Sequence, residues 1–188
     1  MARGLRLTEQ AWPLLAGLAA LAALVLFPLT LRPPVASPLA ALVHLNERHL
    51  LANLAGCAVL GWLGWRARMG TAEALAWLLA WPLAQFALLL GPPLERFAGL
   101  SGWLHGGAAL IAVSLLARTG RERLIGAVLL AGLGAKLLLE QPFAPPAFDP
   151  GWGFAPVPFA HLAGSLIGAS LALLTRYWPL RTSRRQDP

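Results

Sequence analysis

The chain has 188 residues and a formal net charge of +7, yet 57% of it is hydrophobic and only 12% is charged, with a mean hydropathy of +0.64. That balance excludes an ordinary soluble domain and predicts an all-α, polytopic membrane protein. The basic residues are spread over short connections and both ends without an aromatic-interleaved patch, which argues against nucleic acid as a partner.

Apolar stretches matching the roughly 30 Å hydrocarbon thickness of a bilayer lie near 11–31, 47–65, 71–91, 101–117, 121–140 and 159–176. Six spans forming one domain over 1–188 are therefore expected, with 177–188 as a basic cytoplasmic tail. The first stretch follows Arg3 and Arg6 as a signal peptide would. Its length and its continuation into Arg32-Pro33-Pro34 favour a retained span.

The second stretch carries His49 and Asn53, four residues apart, so a helix presents both hydrogen-bonding side chains on one face. They suit an anion site or a bond to a neighbouring helix. Cys57, the only cysteine, excludes an internal disulfide and reads as a packed apolar side chain. Among the eight tryptophans, Trp12, Trp65, Trp103 and Trp178 lie toward span ends, where tryptophan anchors to the interface. Trp77 and Trp81 do not fit that rule.

The fourth stretch opens with Gly99-Leu100-Ser101-Gly102 and continues to His105 and Gly106. The fifth ends with Lys136 and Glu140, natural i,i+4 partners, read as structural or as shaping a channel. A proline-rich connection, Gln141–Pro158, leads to the sixth, which opens with His161-Leu162-Ala163-Gly164 and carries Gly168. The glycine pairs Gly102/Gly106 and Gly164/Gly168 permit close helix approach. Packing through them would bring Ser101 and His161 within about 3 Å of equal depth at 1.5 Å rise per residue. A serine and an imidazole so matched form a nucleophile and base. Taken singly, Ser101 is equally a helix N-cap and His161 an interfacial side chain.

Alternating the connections puts Arg3, Arg6, Arg66, Arg68, Arg118, Arg121, Arg123, Arg176, Arg181, Arg184 and Arg185 on one side, against Arg32, Arg48 and Arg96 on the other. The first side is then cytoplasmic, with both termini inside. Ser101, His105, His161, His49 and Asn53 all fall toward the outer face.

These residues resemble the rhomboid intramembrane serine proteases, whose pattern is a histidine and asparagine four apart in span two, Gly-x-Ser-Gly in span four and a glycine-flanked histidine in span six. Here the pattern reads His49 to Asn53, Gly99 to Gly102, and His161 to Gly164. Within that superfamily the chain is most similar to the rhombosortase branch, through Ser101-Gly102-Trp103-Leu104-His105-Gly106 and through Lys136 followed by Glu140-Gln141. The resemblance implies a bacterial inner-membrane endopeptidase with its active site toward the periplasm. It implies membrane-anchored substrates with a carboxy-terminal Gly-Gly motif, a hydrophobic helix and a basic cluster. One departure is the short connection between the first two spans, which lacks room for the larger embedded loop of ordinary rhomboids.

On this reading His161 deprotonates Ser101, and His49, Asn53 and the Ser101 backbone N–H stabilise the oxyanion. Gly99, Gly102, His105, Gly164, Gly168, Lys136 and Glu140 support the site, with His105 a competitor for the role of base. No acidic third member is evident, so a dyad oriented by packing is expected, with no cofactor and no metal. Transfer of the acyl group to an amine-bearing lipid is a possible extension. A two-aspartate protease is excluded, since the aspartates are Asp149 and Asp187, outside the spans, and no His-Glu-x-x-His motif occurs. The rival readings are a non-enzymatic protein in which His44, His49, His105 and His161 bind haem or a metal, and an inactive rhomboid-like protein that binds membrane helices.

Overall fold

Pro28 ends the first apolar stretch earlier than its hydropathy suggests, because the residue before a proline is pushed out of the helical region. In the computed structural model, which describes residues 7–29 and 31–177, helix α1 accordingly runs Leu7–Leu26, displaced toward the N-terminus from the expected 11–31. Arg3, Arg6 and the tail from Trp178 onward lie outside the described residues. The remaining helices are α2 (Glu47–Arg66), α3 (Thr71–Ala87), α4 (Ser101–Leu116), α5 (Gly120–Leu139) and α6 (Pro158–Tyr177). Short 3-10 turns at Pro38–Leu42 and Leu88–Leu90 complete an all-α fold. Among the described residues the only β pairing is an isolated bridge between Asp149 and Phe154.

Two segments, Thr71–Leu90 and Pro158–Arg176, are long and apolar enough to cross a membrane, and Gln10–Leu26 and Ser101–Leu116 are shorter apolar helices. Local chemistry sets several boundaries. The Asn46 side chain accepts from the His49 N–H at 2.8 Å and caps α2, Gly120 at φ +60° begins α5, and Pro158 opens α6 where a missing N–H costs nothing.

The centre of the molecule is a column of indoles. Trp77 stacks on Trp12 at 4.3 Å and on Trp103 at 4.2 Å. Trp12 donates to the Leu60 carbonyl at 2.8 Å, while Trp77 and Trp103 each donate to the other's backbone carbonyl, at 3.0 and 2.7 Å. Burying an indole requires such a partner for its N–H. Trp12 and Trp103, expected at the interface, are thus core residues, 0% and 2% exposed. Gly64 and Gly107 make room: a Cβ at either would lie 2.0 Å from Trp12 Nε1 and 2.6 Å from Trp77 Nε1, respectively. Trp65, at 43% exposed, does lie at the surface.

Helices α4 and α6 run side by side in the register the glycine pairs predict. A Cβ on Gly164 would fall 1.8 Å from the Gly102 carbonyl oxygen, and one on Gly168 would fall 2.0 Å from that of Gly106. Only bare backbone fits there. Helix α5 behaves differently. It presses on α4 at Gly126, where a Cβ would meet Leu116 N at 2.5 Å, but Gly132 and Gly134 have nothing within 4 Å. Its later half diverges from the bundle and makes no contact with α2.

Candidate active site

The divergence of α5 opens a cavity of about 1440 Å³ bordered by α2, α4, α5 and α6, with Ser101, His161, His49, Asn53, His105 and Lys136 in its wall. Every side chain proposed from sequence as catalytic or oxyanion-binding therefore faces one space.

Its floor is fixed by a relay of backbone bonds. On α3, Trp81 donates to the Pro38 carbonyl at 2.9 Å, and Gln85 donates to the carbonyls of Val35 and Ser37 at 3.2 and 3.1 Å. The 3-10 turn so held accepts the Gly99 N–H through the Ala40 carbonyl at 3.1 Å. This turn, with Ala40 to Val43 buried, occupies the short connection between α1 and α2. Gly99 has φ +110° and any Cβ there would lie 2.3 Å from His49 Nε2 and 3.5 Å from Asn53 Nδ2. Glycine is required on both counts.

His49 and Asn53 are buried and meet at this glycine. His49 Nδ1 receives the Leu45 N–H across a long 3.4 Å, which leaves the ring proton on Nε2, the atom turned toward Gly99. Asn53 Nδ2 spends one proton on the His49 carbonyl at 3.0 Å and keeps the other. Ser101 is the first residue of α4, so its N–H has no partner within the helix. Leu100, not Ser101, occupies the N-cap position, and no side-chain capping bond forms there. Two side-chain donors thus meet at Gly99, two residues before Ser101 and its N–H.

The imidazoles of His105 and His161 lie parallel, ring centroids 4.0 Å apart and 11° between planes. His105 Nδ1 donates to the Ser101 carbonyl at 2.6 Å, and His161 Nδ1 donates to Glu140 Oε2 at 2.8 Å. Both rings therefore carry the lone pair on Nε2. His105 reaches Ser101 only through the backbone carbonyl, and Ser101 Oγ forms no side-chain hydrogen bond to either ring among the described residues. The expectation that no acidic group stands behind the base is corrected here: Glu140, also ion-paired with Lys136, holds His161. Tertiary packing brings a loop-end carboxylate to α6, although its sequence neighbour is Lys136.

His105, Glu140 and His161 could be taken for a metal site, since their ligand atoms fall within 4.8 Å of one another. Parallel rings argue otherwise. A cation needs both nitrogens at about 2.0–2.1 Å, near the plane of each ring, and face-to-face rings point their lone pairs side by side. The other two histidines form a separate pair, His44 and His49, 5.0 Å apart and tilted by 59°. His44 donates to the Leu42 carbonyl at 3.1 Å, and burial pulls its titration below the ordinary imidazole range. The four histidines do not converge on one ligand.

Sequence reading also missed the cover over His49. Phe154 packs on that ring at 4.8 Å, and the turn carrying it is tied down by Asn46, which donates to the Trp152 carbonyl at 2.7 Å. Arg48 adds a bond to the Gly151 carbonyl and lies over the Trp152 ring at 5.2 Å. The aromatic residues of this proline-rich connection carried the only sequence signal.

No family model matches the chain, and no curated protein matches it.

Proposed function

We propose that the protein is a rhomboid-type intramembrane serine endopeptidase, most similar to rhombosortases, with six spans, both termini cytoplasmic and its site toward the periplasmic face of a bacterial inner membrane. The observation that carries the proposal is the α4–α6 glycine register, which fits a nucleophile and a base entering from adjacent helices at one depth. Two long apolar helices and exposed side chains such as Leu18, Leu79, Leu90, Leu138 and Leu166 support a lipid environment.

In the proposed reaction, Ser101 Oγ attacks a substrate carbonyl carbon while His161 Nε2 takes the hydroxyl proton. The oxyanion so formed is met by His49 Nε2–H, the free Asn53 Nδ2–H and the Ser101 N–H. Collapse breaks the peptide C–N bond, and His161 returns its proton to the leaving amine. Water then attacks the acyl ester with His161 again as base, releasing a carboxylate and restoring Ser101. A Gly-Gly segment suits such a site, since glycine is among the residues that leave a helix at least cost. Helices α2 and α5 make no contact with each other, which suits an approach of such a segment to Ser101 between them from the lipid.

The test is cleavage of a reporter bearing a Gly-Gly motif, a hydrophobic helix and a basic cluster, co-reconstituted in vesicles with the full chain. Cleavage that disappears with Ser101→Ala supports the proposal; an intact reporter, or cleavage unaffected by that substitution, contradicts it.

A further inference from the structure

We propose that Glu140 and Lys136 are positioning residues for the base: Glu140 fixes the tautomer and orientation of His161, and Lys136 holds Glu140 and offsets its charge. The proposal rests on the proteolytic reading above.

Glu140 is the C-cap of α5, its N–H bonded to the Lys136 carbonyl at 3.0 Å, and Gln141 turns the chain with φ +49°. Its carboxylate is divided between two elements. Oε1 pairs with Lys136 on its own helix, and Oε2 takes the His161 N–H at 2.8 Å from α6. A pair serving only to neutralise Lys136 would not need the second bond. Helix α5 has little other contact with α6, so this bond crosses the space where the two helices part.

The chemistry follows from which nitrogen is engaged. With Nδ1 committed to Glu140, the proton leaving Ser101 can only reach Nε2. The imidazolium then faces a carboxylate, and the proton stays on the ring until the leaving amine takes it. A lone carboxylate beside an apolar cavity would compete for that proton, because an unpaired charge is costly there. Lys136 keeps Glu140 ionised and, as a nearby cation, opposes the imidazolium. The two residues therefore act on His161 with opposite sign.

The other ionisable groups facing His161 are His105 on α4 and His49 on α2, with Asp149, Glu95 and Arg96 lining the same cavity. They are unaltered in the test. The rate at which a fluorophosphonate labels Ser101 in the purified full chain is measured from about pH 5 to about pH 9, the range across which an imidazole changes charge. Labelling requires the neutral ring, so its rate falls on the acid side. Glu140→Gln is expected to slow labelling by about 10²-fold, less than the ~10⁴-fold of a fully buried triad carboxylate, and to move the acid limb to lower pH. Glu140→Asp should recover part of the rate. Lys136→Met should move the limb the other way, to higher pH, and this arm remains decisive where the Gln variant loosens α5. Wild-type rates in Glu140→Gln, or limbs shifting together in the Gln and Met variants, would overturn this proposal alone. A wild-type chain that never labels at Ser101 would overturn the proteolytic reading and this proposal with it.

Discussion

His105 lies flat against His161, ring on ring at 4.0 Å, while its own Nδ1 is bonded to the Ser101 carbonyl. Both rings keep Nε2 free, but only His161 has a carboxylate behind its Nδ1, which assigns His105 as the platform and His161 as the base. A stacked aromatic pair is worth about 0.5–1.5 kcal/mol. His105→Phe, which keeps a flat ring, should therefore retain labelling within about threefold of wild type, and His105→Ala should lose about tenfold. Loss in His105→Phe as complete as in Ser101→Ala would make His105 the base instead.

Asn53 tests the oxyanion assignment. One of its amide protons holds the His49 carbonyl, so the other is free to meet developing charge. Removing a single donor of this kind costs about 10²–10³ in rate in soluble serine proteases. Asn53→Ala should fall in that range in the reporter assay, with binding of the reporter little changed. A loss no greater than twofold would remove Asn53 from the oxyanion site.

Sequence made the α4–α6 contact legible because small residues at four-residue spacing are themselves the contact: Gly102, Gly106, Gly164 and Gly168 are bare backbone against backbone. The matched depth of Ser101 and His161 followed from the same spacing. Glu140 was read incompletely for a physical reason. Its i,i+4 neighbour Lys136 accounts for one carboxylate oxygen, and the partner of the second, His161, comes from α6, 21 residues further along the chain, through tertiary packing alone. Tryptophan near a helix end gives one sequence signal for two outcomes, interface or core. Gly64 and Gly107, which cut slots for Trp12 and Trp77, decide for the core, but only once the helices are packed.

The glycines supply a stability prediction with an internal control. Gly164→Ala and Gly168→Ala force α4 and α6 apart and should cost about 1–3 kcal/mol or more, the range for overpacking. Gly132→Ala and Gly134→Ala add a methyl to open space on α5 and should be neutral or stabilising by up to about 1 kcal/mol. Thermal unfolding in detergent separates the two sets. Equal melting of all four variants would show that the α4–α6 contact does not depend on its bare backbone.

The central claim is that Ser101 is a nucleophile activated by His161, and mapping the site of fluorophosphonate attachment by peptide mass tests it most directly. One adduct is predicted, on Ser101, absent from Ser101→Ala and reduced to a trace in a folded His161→Ala protein. Attachment elsewhere, for instance at Ser114 or Ser165, or undiminished labelling of the Ser101→Ala chain, would contradict it.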